Sequence, residues 1–210
     1  NAGDIRIQAF AEEAQVAFHA VRQLVRQARS NITMRWSQSG FVGFDTGNQT
    51  PRNLFAFKDG TANQSTIKAA DKNLWADAPD WMKGGTYLVT RIIQMHLETW
   101  DRTSLKGQED TFGRHRDSGA AIGQKGEFDT FDVHAKDAQG KAVIPEISHM
   151  GLAKRTGVEM LRRSYSYSSG INPATGQFDS GLLFISFQKS PEQFIIIQNA
   201  LGRLDKMNEY

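Results

Sequence analysis

Two hydrophobic periods alternate along this chain of 210 residues, and their order predicts an α+β fold. A period near 3.6 covers 12–29 and returns after a proline from 191 to about 204, whereas a period of two, or a short apolar run, covers 4–9, 86–97 and 182–188. Between these lie stretches rich in Gly, Asn, Asp, Ser and Pro, which read as loop.

Asp4 to Ala9 places Ile5, Ile7 and Ala9 on one face, the pattern of a half-buried strand. Over 12–29, Val16, Ala20, Leu24 and Ala28, joined by Ala17, Val21 and Val25, make one stripe of a helix. Glu12 and Glu13 stand at its positive end and Arg26 and Arg29 at its negative end. Strand character follows over 32–44, broken by Gly40 and Gly43, and 46–63 reads as mostly loop. Gly84-Gly85 precedes a long strand over 86–97 with Tyr87, Val89, Ile93, Met95 and Leu97 on one face, interrupted by Arg91. A helix is expected over 104–112, a turn at 137–141, a helix over 157–163, and a loop over 164–181. Leu182 to Gln188 reads as a buried strand, and Pro191 opens a last helix, where its missing N–H costs nothing.

Composition is that of a globular protein, with 39% hydrophobic and 23% charged residues, enough to bury a sizeable core. The net charge of +2 and the lack of a Lys/Arg tract exclude the signature of a nucleic-acid-binding surface. With no cysteine, disulfides, thiolate ligation of haem, c-type haem attachment and iron–sulfur clusters are excluded. The run Phe194 to Ile197 is too short to span a bilayer. No signal peptide is visible, and since Asn1 is not a start residue the chain reads as a mature or internal segment.

Two segments about ninety positions apart carry the chemistry. Pro51-Arg52-Asn53-Leu54-Phe55-Ala56-Phe57-Lys58-Asp59-Gly60-Thr61-Ala62-Asn63 supplies a carboxylate; Ile144-Pro145-Glu146-Ile147-Ser148-His149, followed by Leu161-Arg162-Arg163-Ser164-Tyr165, supplies an imidazole and a guanidinium. A haem peroxidase needs those three groups: an axial iron ligand, a proton shuttle for peroxide, and a fixed cation for the charge that develops as the O–O bond breaks. Taken singly each has a plainer reading. Asp-Gly is a turn signal, an isolated histidine is usually a hydrogen-bonded structural residue, and paired arginines close helix C-termini.

Their order and flanking residues resemble the dye-decolorising peroxidases, most closely the deferrochelatase branch. There a Gly-x-x-Asp-Gly motif holds the distal Asp, a Ser/Ala-His after Ile-Pro the proximal ligand, and an Arg-Arg-Gly-Tyr-Ser-Tyr-like run the distal Arg. The resemblance extends along the chain through 15–24 (QVAFHAVRQL), Arg35-Trp36-Ser37-Gln38, Met95-His96-Leu97-Glu98, Trp100-Asp101-Arg102-Thr103, 112–119 and Gly181-Leu182-Leu183-Phe184. Two positions depart from the pattern. Ala56 replaces the first Gly of the motif, so that a positive φ there would be strained, and Ser164 replaces the Gly after Arg-Arg.

The resemblance implies ferredoxin-like modules with an antiparallel sheet: the end of a first module over 1–46, and a second over 47–210 holding the haem pocket. It implies relatives about twice as long as this chain. It makes His149 the axial ligand of a non-covalent haem b, with Asp205 as acceptor for the other ring nitrogen, although Asp205 also reads as a solvated carboxylate at a helix end. It makes Asp59 the proton shuttle and Arg162 the charge-stabilising donor, a role for which Lys is less suited. Gly60, Thr61 and Ala62 would pack their backbone against the haem, Lys154, Arg155 and Thr156 would lie towards the propionates, and Leu183 and Phe184 are apolar haem walls or plain core. Tyr165, Tyr167 and Trp100 are candidate electron relays. The implied function is peroxide reduction at the expense of dyes, phenols or porphyrin-type donors in a periplasmic or exported protein of bacterial iron acquisition, with iron-uptake components and a homodimer as candidate partners. The alternative is a haem-delivery protein without turnover, which has no need of both Asp59 and Arg162.

Overall fold

The longest strand organises the sheet. In the computed structural model of the chain, which describes residues 3–43 and 50–210, β1 (Tyr87–Gln94), β2 (Leu161–Arg162), β3 (Tyr165–Ile171) and β4 (Phe178–Gln188) form one antiparallel sheet. β4 is central: β1 pairs along one side of it, from Tyr87 opposite Gln188 to Gln94 opposite Gly181, and β2 and β3 share the other side. Strand alternation sends Leu183 and Ile185 to one face, where they are buried with Tyr167. Leu182, Phe184 and Ser186 go to the opposite face. The helix α7 (Pro191–Leu204) covers that second face, with Phe194 6.1 Å from Phe184 and Gln198 accepting from Arg91 at 2.5 Å. It starts where Pro191 predicts, on a capping box of Ser190 and Gln193.

The chain forms two compact units, 1–41 and 42–210. The first holds α1 (Ala14–Gln27), in which Ala17, Val21 and Val25 are half-buried while Val16, Phe18 and Leu24 are exposed. In the second unit, α2 (Asn63–Lys68) and α3 (Ala70–Asn73) precede β1, and α4 (Leu97–Asp101), α5 (Leu105–Phe112) and α6 (His149–Arg155) lie between β1 and β2. Its main core is aromatic: Phe55, Phe57, Met95, Trp100 and Phe112 are buried together, with Leu54, Leu97, Leu182, Met207 and Tyr210 packed against them. Phe57 stacks on Phe112 at 3.9 Å, and the Trp100 indole N–H donates to the Phe55 carbonyl at 3.2 Å. Trp100 and Tyr167, named above as relays, are both core residues, 2% and 3% exposed.

Four expectations are corrected. Among the described residues, 4–9 and 32–43 form no strand, because alternation marks which side chains share a face but supplies no partner for the backbone. The stretch 157–163 is not helical: α6 ends before it, and Gly157, at φ 68°, closes the helix in the left-handed conformation with its N–H on Lys154 O. Arg162 therefore sits on a strand and closes no helix. Most of 164–181 is a hairpin, its turn closed by Asn172 N–H to Gln177 O at 2.8 Å; the Ser- and Gly-rich composition concealed a strand that β4 stabilises by pairing. The loop expected over 46–63 and the module boundary at 46/47 fall partly on residues 44–49, outside the described residues; the part from 50 to 62 is loop.

Ala56 adopts φ 65°, alone among the described non-glycine residues in having a positive φ. The loop requires it. Ala56 N–H closes a turn on Asn53 O at 2.9 Å and its carbonyl accepts from Arg52 at 2.7 Å, while Asn53 Oδ1 accepts from the N–H groups of Phe55 and Phe57 at 3.0 and 3.3 Å. A left-handed alanine costs about 1–2 kcal/mol, and its methyl group is exposed, so that removing it opens no cavity. Ala56→Gly should accordingly raise unfolding free energy by about 1 kcal/mol in denaturant titration, and Ala56→Val should lower it.

Candidate active site

Two ion-pair clusters gather the residues that the sequence singles out. In the first, Arg162 Nη2 lies 3.5 Å from Asp59 Oδ1, both side chains mostly buried. Each is placed by backbone. Asp59 N–H donates to Pro51 O at 2.8 Å, closing the loop, and Arg162 is held in β2 opposite Ser186. Asn63 joins the two: its side-chain amide donates to Arg162 O at 2.7 Å and accepts from Arg162 N–H at 3.0 Å, as a neighbouring strand would, while its own N–H closes on Gly60 O at 2.8 Å. Gly60 is at φ 119°, and a Cβ there would approach the Asn63 amide to 3.1 Å, so that glycine is required on two counts.

The loop is also gripped from behind. Glu127 accepts from Lys58 Nζ at 2.5 Å, from Thr61 Oγ1 at 2.9 Å and from Thr50 Oγ1. Burial works against its ionisation, but the hydrogen bonds from Lys58, Thr50 and Thr61 and the Lys58 charge outweigh it and hold Glu127 below the ordinary glutamate range. Arg114 lies close by, donating to Gly119 O at 2.6 Å. Burial first, then the charge of Arg162, lowers its pKa, with Glu127 acting in the opposite direction. The site thus interleaves three cations, Lys58, Arg114 and Arg162, with two carboxylates, Asp59 and Glu127.

In the second cluster His149, the first residue of α6, brings Nδ1 to 2.6 Å from Asp205 Oδ2, and Asp205 is buried. Asp205 ends α7, and its second oxygen accepts from Met207 N–H at 2.9 Å. Lys206 N–H donates to Ile147 O at 3.1 Å, which ties the C-terminal turn to the residues just before His149. With Nδ1 donating to the carboxylate, Nε2 is the nitrogen that can serve as a ligand, and it is made more electron-donating by that partner. The aromatic core connects the clusters: Phe57, two residues before Asp59, stacks on Phe112, whose ring lies 6.4 Å from that of His149.

The remaining candidates separate. Gly60, Thr61 and Ala62 run from the Asp59 loop into α2. Phe184 shares the face of Arg162, since Ser186 lies opposite Arg162 and two residues from Phe184. Leu183 does not: strand alternation turns it to the far face with Tyr167 and Ile185, so only one of these two neighbours can wall a site on the Arg162 side. Arg155 is engaged by the carbonyls of Glu146, Val133 and Ile144 at 2.7, 3.2 and 3.4 Å and so fastens α6 to the preceding loop instead of reaching outward. Lys154 lies 3.5 Å from Glu159, and Thr156 bonds back to Ala153 O at 2.6 Å. Sequence reasoning missed Asn63 and Glu127 as framework residues. Asn63 stands in the motif segment without a charge to mark it, and Glu127 is one of three carboxylates in a short stretch with Asp129 and Asp132, with nothing local to single it out.

Comparison with known proteins accords with this geometry. The Dyp-type peroxidase C-terminal family model matches residues 50–210 and the N-terminal one residues 1–42. The chain is 38% identical over 224 aligned positions to deferrochelatases of Yersinia pseudotuberculosis and Escherichia coli, covering 99% of this chain and 51% and 52% of theirs. It thus spans about half the length of the curated relatives it matches. Among solved structures, ferric DtpA from Streptomyces lividans superposes with a TM-score of 0.87 at 34% identity, and a DyP-type peroxidase from Cellulomonas bogoriensis with 0.86 at 35%, each over 95% of this chain and 57% of the other. These neighbours are built of ferredoxin-like modules, the fold expected here. With both halves of the family pattern matched in order, and the Asp59–Arg162 and His149–Asp205 pairs formed, the chain belongs to the Dyp-type peroxidase family.

Proposed function

We propose that this chain carries the haem-binding part of a peroxidase that reduces hydrogen peroxide and takes electrons from dyes, phenols or porphyrin-type donors. The observation that carries the reading is the Asp59–Arg162 pair at 3.5 Å, because a protein that only delivers haem needs neither member. The residues fit a haem. His149 offers Nε2 backed by Asp205, and the Ser186 hydroxyl, opposite Arg162, is buried without a hydrogen-bond partner in the protein. His149 would ligate the iron, Gly60 to Ala62 and Phe184 would pack against the haem, and Lys154, 3.5 Å from Glu159, is the candidate for the propionates. With no cysteine in the chain, the attachment would be non-covalent, as haem b.

When bound, the haem iron supplies the two-electron reduction of peroxide. Asp59, as its carboxylate, takes the proton from one peroxide oxygen and returns it to the other, so that the leaving oxygen departs as water. Arg162, planar and permanently charged, donates to peroxide and stabilises the negative charge that grows on the leaving oxygen. Asn63 holds both residues in register. The likeness to deferrochelatases supports a role in bacterial iron acquisition from haem and a periplasmic or exported location.

Replacement of the ligand tests the haem assignment. His149→Ala should abolish stoichiometric haem binding or shift the Soret band sharply, whereas His115→Ala, whose ring is paired with Glu109 at 3.1 Å, should leave both unchanged; normal loading and an unshifted spectrum in the His149 variant would refute it. Asp59→Asn should retain haem yet slow the bimolecular reaction with peroxide by roughly a hundredfold, as followed by stopped-flow loss of the resting Soret band. A parental rate would remove Asp59 from proton transfer.

A further inference from the structure

Glu127 stands 66 residues beyond Thr61, and every hydrogen bond of its carboxylate goes to the loop that holds Asp59. Oε2 holds the Lys58 ammonium at 2.5 Å; Oε1 holds the hydroxyls of Thr61, at 2.9 Å, and Thr50. Lys58 and Thr61 bracket Asp59 and Gly60. Both members of the ion pair are sheltered, with side chains 14% and 7% exposed, so solvent screens the link little. The Lys58 stem lies over Gly119, where a Cβ would come within 2.6 Å of Cδ, so this path for the side chain exists only because position 119 lacks a side chain. A carboxylate with this many charge-assisted contacts on the two flanks of one residue fixes that residue's backbone.

We infer that Glu127 is the positioning residue for Asp59, clamping the loop from Thr50 to Thr61 so that the Asp59 carboxylate stays beside Arg162 before peroxide arrives. The inference rests on the reading of Asp59 as the proton shuttle. Positioning of this kind matters because misplacement of an acid–base group by about 1 Å can cost a hundredfold in rate.

The clamp depends on charge. The charged groups that act with Glu127 are Lys58 on the loop and Arg114 in the segment after α5. Glu127 titrates below its ordinary value of 4.5. Its stabilising contribution is therefore complete above about pH 4.5 and is lost only as pH falls through the lowered value. The clamp is thus intact down into mildly acidic solution.

Hydrogen exchange resolved by segment tests this in the protein without haem, and peroxide kinetics test it in the loaded protein. Glu127→Gln is nearly isosteric and keeps an acceptor for the threonines, but loses the charge that holds Lys58. It and Lys58→Met should each lower protection factors across 50–63 about tenfold without changing those of β4 or α7. Each should slow the peroxide reaction about tenfold with an unshifted Soret band. The double variant should be no worse than either single one, since both break one link. In the parent, protection of 50–63 should fall only below about pH 4.5, whereas in Glu127→Gln it should be low throughout. Parental protection in both variants, or a parental peroxide rate alongside a slow Asp59→Asn protein, would overturn the inference. If instead Asp59→Asn itself reacts at the parental rate, the proton-shuttle reading fails, and with it the positioning role, while the exchange data still report whether the clamp exists.

Discussion

The aromatic core formed by Phe55, Phe57, Trp100 and Phe112 is the contact on which the rest of the site depends. Its rings come from both sides of the chemistry: Phe55 and Phe57 from the loop of Asp59, Phe112 from the end of α5 beside His149, and Trp100 from α4, where Tyr210 packs edge-on at 4.9 Å. Burying such side chains contributes about 1.5–3 kcal/mol each, the scale needed to hold an otherwise irregular loop. Tyr210 lies five residues beyond Asp205, so the cluster also seats the turn that orients His149. The left-handed backbone at Ala56 lies between two of these anchors, Phe55 and Phe57, where the chain turns back on Asn53 through the Ala56 N–H and the Asn53 side chain.

Polar contacts refine what the core holds roughly. Asn63 acts as a one-residue strand against β2, and Glu127 grips the outer side of the loop, so Asp59 is constrained through the residues on either side of it. Neither contact reaches the Asp59 carboxylate, which is left to Arg162 and to whatever enters the site. Around His149 the arrangement is similar: both carboxylate oxygens of Asp205 are occupied, one by the His149 Nδ1 and one by Met207 N–H, so that Asp205 orients the ring and leaves Nε2 outside the pair.

β4 sets which residues can share the site. Its pairing with β2 puts Arg162 opposite Ser186 and therefore on the face of Phe184, under α7, while Leu183 faces away. A shift of one residue in that register would exchange the two faces and send Arg162 away from Asp59. Arg163, next in the chain, shows the alternative: its N–H continues the pairing, to Ile185 O at 2.8 Å, but its position lies on the other side of the pleat.

The sequence by itself determined the α+β class, the span of α7 and α5 and the strand β1, because period and proline placement are local or nearly so, and the order of its motifs singled out Asp59, Arg162, His149 and Asp205, which the fold brings together in two pairs. It also marked Ala56 as the place where backbone strain would appear. Only the tertiary structure decided that Ser- and Gly-rich 165–171 is a strand, since its stability comes from pairing with β4 and not from its own side chains. The same holds for the separation of Leu183 from Phe184, a consequence of register, and for the engagement of Arg155 by loop carbonyls. Glu127 and Asn63 were illegible for the most general reason: a hydrogen bond between residues 66 or 99 positions apart leaves no periodic trace, and its acceptor becomes visible only when folding brings the two segments within 3 Å.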